Sequence, residues 1–399
     1  VGVIGFGILN GWPAAMSILG TYPYEYSAVY ELAVIPLFVL MGNFAAASGM
    51  SRDLFSAANA WLGHLRGGLA SASIVACAGF AAICGSTAAT AATMGRIALP
   101  EMKKYNYDNT LATGTVAASG ALGILIPPST ILIVYGIMTE ESIGKLFIAG
   151  ILPGIILSLF FVATVMLLCL RDPSLGPPGA PTSWKRKIQS TTGIIEAVIL
   201  FLLTIGGIFL GWFSPTQAGA IGAAGALLIG LGRRQLSWAR FFDACKDGLQ
   251  TACMVLFIIT GATIFGHFMA ISTIPFILAD WVGQLPITPI AVMGVIIFIY
   301  FIGGFFMDSM ALVVVTIPIF FPVVMQLGFD PIWFGVIVVL VAEMGVITPP
   351  VGVNVFVIKG IAPDIPLHTI FRGIFPFLAS LIILTGMLMA FPQIATFLP

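Results

Sequence analysis

Long apolar runs, separated by short polar interruptions, extend along the whole chain. A helix that crosses a membrane needs about 20 mostly apolar residues. Segments of roughly that kind are Gly2–Gly20, Ala28–Ala47, Leu146–Leu170, Ile194–Phe213, Thr216–Leu231, Thr251–Ala270 and Ile370–Ala390. Within them, stretches such as Ala197–Leu210 are almost continuously apolar. Barrel strands would alternate apolar and polar positions instead. The pattern therefore predicts an all-α integral membrane protein.

Two Gly-rich segments, Gly68–Leu99 and Ile287–Phe321, are each followed by a segment that contains adjacent prolines. Adjacent prolines remove two N–H donors and interrupt a helix. The pairs Pro127-Pro128 and Pro349-Pro350 therefore predict two broken helices. Non-helical backbone at membrane depth is tolerated only where it is buried or lines a cavity. We therefore expect each break to contribute to a site.

The two halves of the sequence repeat. A shift of 222 positions superimposes Ser86-Thr87 on Asp308-Ser309, Pro100 on Pro322, Asp108 on Asp330, Gly123 on Gly345, and Pro127-Pro128 on Pro349-Pro350. A gapless frame with this many matches is typical of the internal repeats of secondary transporters. The segment Ile194–Phe213 has no counterpart in the first half, which predicts one further helix upstream of Val1.

The distribution of Lys and Arg predicts the orientation of the chain, since cytoplasmic loops are enriched in both. The polar linker 171–190 ends in Lys185-Arg186-Lys187 and is therefore placed in the cytoplasm. Nearly all other basic residues also lie on the cytoplasmic side if both Gly-rich segments are re-entrant hairpins, which enter and leave the membrane on the same side. Lys103-Lys104 then lies inside and its counterpart Met325-Gln326 outside, so we expect the repeats to be inverted.

These boundaries predict a transport domain and a surrounding scaffold. The predicted segments are 1–67 (scaffold helices and arm of repeat 1), 68–138 (hairpin 1 and its broken helix, transport domain), 139–170 (scaffold helix), 171–190 (cytoplasmic linker), 191–286 (scaffold helices and arm of repeat 2), 287–358 (hairpin 2 and its broken helix, transport domain) and 359–399 (C-terminal helix).

Composition excludes several classes of protein. The chain is 59% hydrophobic and 8% charged, and its mean hydropathy is +1.10. Soluble domains contain about 25% charged residues, so a soluble enzyme, a disordered protein and a nucleic-acid binder are excluded, and the lipid bilayer is the expected environment. The three histidines and five cysteines are scattered, which gives no metal-ligand spacing. No P-loop motif occurs, so the chain is not an ATP-driven pump of that type.

The chemistry-bearing residues lie at the two hairpin tips and the two helix breaks. Freed carbonyls and Ser or Thr hydroxyls form an oxygen-only set that suits a hard cation such as Na⁺, and half-helix N-termini suit a carboxylate. Asp308 follows an apolar run and is a functional candidate at membrane depth, or a helix N-cap. Glu343 is a second deep carboxylate, which either binds a ligand or pairs within the bundle. Arg96 either attracts an anionic substrate or extends toward the interface.

Two clusters of motifs carry a family resemblance. The first cluster is Gly85-Ser86-Thr87-Ala88-Ala89-Thr90, Pro100-Glu101-Met102-Lys103-Lys104, Tyr107-Asp108 and Gly123-Ile124-Leu125-Ile126-Pro127-Pro128-Ser129. The second is Met307-Asp308-Ser309, Gly328-Phe329-Asp330-Pro331 and Thr348-Pro349-Pro350-Val351-Gly352-Val353-Asn354. Over essentially its whole length the chain resembles the large membrane subunit of tripartite ATP-independent periplasmic (TRAP) transporters.

The resemblance implies a Na⁺-coupled importer of an organic acid in the bacterial inner membrane, with an elevator mechanism. Its implied partners are a small membrane subunit and a soluble periplasmic substrate-binding protein. The implied Na⁺ site residues are Gly85, Ser86, Thr87, Thr90, Gly123, Pro127, Asp308, Ser309, Gly345, Thr348, Pro349 and Gly352. The candidate substrate-binding residues are Ser129, Thr130, Asn354 and Arg96. No enzymatic activity and no organic cofactor are expected.

A stand-alone Na⁺-coupled dicarboxylate carrier is the main alternative, because it would share the inverted-repeat plan. A membrane-embedded enzyme or a channel is less consistent with the sequence, which has no His, Asp and Ser cluster. The sequence leaves open which organic acid is carried, how many Na⁺ ions accompany it, the oligomeric state, and whether the small subunit is fused upstream of Val1.

Overall fold

The computed structural model describes all residues, Val1–Pro399, and contains helices but no strand. The helices of the first half are α1 (Gly2–Asn10), α2 (Trp12–Ser27), α3 (Val34–Ala47), α4 (Met50–Leu62), α5 (Gly68–Cys84), α6 (Thr87–Lys104), α7 (Asn109–Ser119), α8 (Leu122–Leu125), α9 (Thr130–Thr139) and α10 (Ile143–Arg171). Those of the second half are α11 (Trp184–Thr192), α12 (Ile195–Phe201), α13 (Gly207–Phe209), α14 (Pro215–Gly232), α15 (Trp238–Ser272), α16 (Ile274–Gly283), α17 (Pro289–Gly304), α18 (Ser309–Gln326), α19 (Pro331–Ile347), α20 (Val353–Ile361), α21 (Leu367–Ala390) and α22 (Gln393–Thr396). The predicted all-α class is confirmed.

Several helices are built to cross a bilayer. Seven are long and apolar enough to do so, and the count rises to eight if the bent pair Trp184–Thr192 and Ile195–Phe209 forms a single span. Large apolar side chains on their outer faces are exposed, for example Phe257 at 82% and Leu159 at 61%. Such surfaces are stable against lipid rather than water. The chain is a multi-pass membrane protein.

The sequence repeat is visible in the helix boundaries. The second arm of each hairpin, α6 and α18, begins and ends at equivalent positions of the two halves, and α7 and α19 begin at equivalent positions. The caps repeat as well. The side chains of Ser86 and Asp308 cap α6 and α18, and those of Asp108 and Asp330 cap α7 and α19. Each N-cap side chain accepts a bond from a first-turn amide that lacks an intrahelical partner. The same local chemistry therefore starts the same helices in both halves.

Each half packs its hairpin on the broken helix of the other half. Helix α6 contacts α20, and its counterpart α18 contacts α9; likewise α7 contacts α21, and α19 contacts α10. Two repeats related by a two-fold axis have this contact pattern. Where an element of one repeat contacts an element of the other, the copies of those two elements also contact each other. The two hairpin tips and the two breaks are consequently brought to one interface between the repeats.

Three predicted segments differ in detail. The run Gly2–Gly20 is interrupted at Gly11, whose φ of +92° is a conformation that glycine adopts at low cost. The run Ile194–Phe213 contains a π-helical turn at Leu202–Gly206. The polar linker is not wholly irregular, because α11 forms within it and packs against α4.

Candidate functional site

A cavity of about 110 Å³ lies where the two hairpin tips meet the two broken helices. Six of the predicted site residues line it: Ser86, Thr87, Thr130, Asp308, Ser309 and Asn354. The remaining wall comes from α3 and α15, through side chains such as Val39, Thr251 and Met254. Residues from both halves of the repeat therefore share one cavity, which is bounded on one side by helices outside the hairpins and breaks.

Four helix N-termini converge on this cavity. Thr87, Thr130, Ser309 and Asn354 each belong to the first turn of their helix, namely α6, α9, α18 and α20. The first amides of a helix have no intrahelical acceptor and carry a partial positive charge. Such termini favour a negatively charged group, and here they occur as two repeat-related pairs.

Three of the four termini are capped by their own side chains. The Ser86 hydroxyl accepts from the Ala89 amide at 3.4 Å, the Ser129 hydroxyl accepts at 3.2 Å, and a carboxylate oxygen of Asp308 accepts at 3.0 Å. Gly352, with a φ of +61°, precedes α20 and has no side chain to cap it. Asp308 thus caps α18 and also lines the cavity, and its functional role stays a prediction.

The first hairpin tip is fastened to the first break by Gly85. Its carbonyl accepts from the Thr130 hydroxyl at 3.1 Å and from the Thr130 amide at 3.4 Å. Gly123, in the same break, lies so close to the tip that an added Cβ would be 2.6 Å from the Ser86 carbonyl oxygen and 2.8 Å from the Thr90 hydroxyl. The structure therefore brings four residues of the predicted Na⁺ set next to Thr130 of the predicted substrate set.

Glu343 fastens the second hairpin tip to the second break. Its carboxylate accepts from the Ser309 hydroxyl at 3.0 Å and from the Asn354 amide at 3.4 Å, and the side chain is 1% exposed. Asn354 also donates to the Ala117 carbonyl at 3.2 Å, which connects this group to the first half. Glu343 is therefore hydrogen-bonded within the bundle, beside the cavity, and ligand binding by its carboxylate stays a prediction.

Four buried side-chain oxygens near these elements have no hydrogen-bond partner: Thr87 Oγ1, Thr90 Oγ1, Thr115 Oγ1 and Asn354 Oδ1. An unpaired buried polar group costs about 1–3 kcal/mol. Three of the four belong to residues that the sequence singled out. Thr115 was missed, because a Thr within an apolar helix usually bonds to its own backbone. Free oxygens of this kind are available to a bound ligand.

The other predicted residues lie beside the cavity or apart from it. Pro127 and Ser129 are buried at the first break. At the second break, the Gly345 carbonyl accepts from the Thr348 amide at 3.0 Å; Pro349 follows directly, and Gly352 lies three residues further along. The peptide bonds Pro127–Pro128 and Pro349–Pro350 are both cis. Arg96 is separate, since it is exposed and lines a different, larger cavity.

Comparison with known proteins agrees with this architecture. In fold, the chain is similar to the crystal structure of the YdaH transporter of Alcanivorax borkumensis, with a TM-score of 0.69, 16% identity, and coverage of 95% of this chain and 89% of that one. In sequence it is 36% identical over 389 residues to a C4-dicarboxylate TRAP transporter large permease protein of Pseudomonas aeruginosa, covering 97% of this chain and 90% of that protein.

A sialic acid TRAP transporter large permease protein of Vibrio cholerae is 32% identical over 371 residues, which covers 93% of this chain and 86% of that protein. These relatives are named as transporter permeases and not as enzymes. The family model of the tripartite ATP-independent periplasmic transporter, DctM component, matches residues 13–394. The chain therefore belongs to the DctM component family of the tripartite ATP-independent periplasmic transporters.

Proposed function

We propose that this chain is the large permease subunit of a Na⁺-coupled importer of an organic acid in the bacterial inner membrane. Its proposed partners are a small membrane subunit and a soluble periplasmic binding protein that delivers the acid. The observation that carries the proposal is the convergence of four helix N-termini and unpartnered oxygens on one cavity. The names of the relatives, which include a C4-dicarboxylate and a sialic acid transporter, favour a carboxylate as substrate.

The carboxylate is proposed to bind at the helix N-termini, where unpaired amides and partial positive charge stabilise an anion. Ser129, Thr130 and Asn354 supply polar groups around that position, because each belongs to the cap or first turn of α9 or α20. Arg96 is omitted from this substrate site, since it lines the other cavity.

Na⁺ is the proposed co-transported ion. The available ligands at both breaks are hydroxyl, carbonyl and carboxylate oxygens, which are the donors that hard cations prefer. One proposed set comprises Gly85, Ser86, Thr87, Thr90, Gly123 and Pro127, and the other comprises Asp308, Ser309, Gly345, Thr348, Pro349 and Gly352. The unpaired hydroxyls of Thr87 and Thr90 support the first set, because they have no protein partner to lose on binding the ion.

An elevator movement is proposed for the transport step. The hairpins and broken helices interlock across the repeats, as α6 with α20 and α18 with α9. They therefore suit movement as one unit. The opposite wall of the cavity, from α3 and α15, is proposed to belong to the scaffold against which this unit moves.

Uptake into proteoliposomes tests the proposal. Vesicles containing this chain and its small subunit receive a radiolabelled C4-dicarboxylate or sialic acid, with and without an inward Na⁺ gradient and with and without the binding protein. We expect uptake to require both. Na⁺-driven uptake without the binding protein would establish a stand-alone carrier instead. Uptake at the same rate without Na⁺ would contradict the proposed coupling.

A further inference from the structure

A second cavity, of about 760 Å³, lies away from the hairpin tips. Its walls are the amphipathic helix α4, the C-terminal half of α6 and the linker segment that includes the start of α11. Four basic residues line it, Arg52, Arg96, Lys104 and Arg186, against one acidic residue, Glu101. Elements from separate parts of the chain therefore bring an excess of positive charge to one concave surface, which we call the basic cavity.

The three arginines of the basic cavity form no ion pair within the protein. Arg52, Arg96 and Arg186 are exposed and take part in none of the ion pairs or side-chain hydrogen bonds of the structure, whereas Lys104 lies 4.0 Å from Glu101. By contrast, Arg233 of the same protein pairs with two carboxylates. Guanidinium groups bind phosphate oxygens in a bidentate manner. An oxyanion in the cavity would therefore satisfy donors that the fold leaves free.

Aromatic side chains beside the basic cavity indicate that it lies at the depth of the lipid headgroups. The rings of Trp61 and Trp184 lie 5.9 Å apart beside it, and the Lys187 ammonium lies 5.3 Å and 5.1 Å from their centroids. Tyr105 lines the cavity itself. Trp and Tyr concentrate at the membrane–water interface, and basic loops lie on the cytoplasmic side. The basic loops predict the cytoplasmic side for this region, and the aromatic rings then indicate a position at the headgroups of the cytoplasmic leaflet.

We propose that the basic cavity binds the phosphate headgroup of an anionic phospholipid of the cytoplasmic leaflet. Basic pockets between membrane helices on this side bind phosphate-bearing headgroups, and the volume is in the range of small-molecule sites. The bound lipid would add a further connection between α4, α6 and the linker, beside the direct contacts that α4 makes with α6 and α11. Arg96 then has a lipid, rather than the transported acid, as its ligand.

Native mass spectrometry of the full chain in detergent tests this proposal. The protein is titrated with cardiolipin, phosphatidylglycerol or phosphatidylcholine. We expect wild type to prefer the two anionic lipids. The triple variant Arg52→Gln, Arg96→Gln, Arg186→Gln should bind them about a hundredfold more weakly, since each arginine in contact with the headgroup contributes about fivefold.

The matched control is Arg171→Gln, Lys185→Gln, Arg234→Gln, which removes the same charge from exposed positions outside the cavity. It should retain wild-type lipid affinity, and equal weakening in both triple variants would overturn the proposal. Inorganic phosphate binding as tightly as lipid would overturn the lipid assignment. If the triple variant does not fold, Arg186→Gln alone is measured, because α11 has no buried residue and should tolerate the substitution. This single variant should bind the anionic lipids about fivefold more weakly. An unchanged lipid affinity would contradict the proposal.

Discussion

The Ser309 hydroxyl donates a 3.0 Å hydrogen bond to the Glu343 carboxylate and so joins the second hairpin tip to the second broken helix. The Asn354 amide donates to the other carboxylate oxygen from across the break. A buried carboxylate is tolerated only when its oxygens are hydrogen-bonded, and Glu343 meets that condition through residues of the proposed transport site. The carboxylate therefore positions two groups that line the cavity.

Replacing Glu343 by alanine removes the shared acceptor. The substitution leaves the Ser309 hydroxyl and the Asn354 amide without this partner and creates a small void. We expect Glu343→Ala to lower the free energy of unfolding by about 1–3 kcal/mol and to weaken the apparent Na⁺ affinity of transport. Denaturant unfolding in detergent and Na⁺-dependent uptake measure the two effects. Glu25→Ala, at an exposed position of α2, should stay within about 0.5 kcal/mol of wild type, and an equal loss there would refute the assignment.

Removing the charge of Asp308 separates its two roles. Asp308→Asn keeps an N-cap side chain for α18 but loses the carboxylate that faces the cavity. Because the charge of the ligands sets cation affinity, we expect the Na⁺ concentration for half-maximal uptake to rise about tenfold. The matched control is Asp330→Asn, which alters an equivalent Asp cap, on α19, that does not line the cavity. A similar change in both variants would show that capping, and not ion binding, is responsible.

The local features of this fold were predictable from the sequence, whereas its long-range contacts were not. Apolar run length predicted most of the spans, although Gly2–Gly20 is interrupted at Gly11, and adjacent prolines predicted the breaks, because both act on the nearby backbone. The shift of 222 positions also predicted that the hairpin tip at Ser86 corresponds to the tip at Asp308. The hydrogen bond from Asn354 to the Ala117 carbonyl joins residues 237 positions apart, and no local pattern contains it. Arg96 was grouped with the substrate residues by its charge, and only packing shows that it lines another cavity.

The crossing of α7 and α21 depends on two glycines. A Cβ on Gly114 would overlap the Gly373 carbonyl, and a Cβ on Gly373 would overlap the Thr110 carbonyl. Small residues at such crossings let helix backbones approach in membranes. We expect Gly114→Ala to destabilise the protein by about 1–3 kcal/mol, measured by thermal unfolding in detergent. Gly386→Ala, also on α21, meets no atom within 4 Å and should leave the midpoint unchanged or slightly higher; a comparable fall would contradict the packing argument.

Arg233, at the end of α14, connects three helices. Its guanidinium pairs with Asp53 of α4 and, at 2.5 Å, with Glu196 of α12, and its side chain is 19% exposed. Loss of the cation leaves both carboxylates without their partner, and charge-assisted hydrogen bonds contribute about 1.5–3 kcal/mol each when well shielded. We expect Arg233→Met to lower the unfolding midpoint in detergent. Arg234→Met changes the adjacent, exposed residue and should have no measurable effect; equal shifts would show that the pairs contribute nothing.

The ion pair between Lys103 and Asp364 should make stability depend on pH in the acidic range. The Lys103 ammonium donates to a carboxylate oxygen of Asp364 at 2.8 Å and ties the end of α6 to the loop after α20. This hydrogen bond, with the positive charge of Lys103, lowers the pKa of Asp364. A carboxylate whose pKa is lower in the folded state binds fewer protons there than in the unfolded chain. Its stabilising contribution is therefore present above the unfolded-state pKa of an aspartate, about 3.9, and is lost as the pH falls through the folded-state value.

The unfolding midpoints of wild type and Asp364→Asn, compared between neutral and strongly acidic pH, measure this contribution. The unfolding midpoints of the two proteins should differ at neutral pH and converge in acid. Protonation of Asp364 in wild type removes the same negative charge that the substitution to Asn removes. Lys103→Gln should reproduce the Asp364→Asn profile, since it deletes the other partner, whereas Lys145→Gln should follow wild type. Both groups of the pair are exposed, so added salt should reduce the neutral-pH difference by screening. A difference that persists unchanged in acid would mean that Asp364 acts through its shape or its backbone contacts and not through its charge.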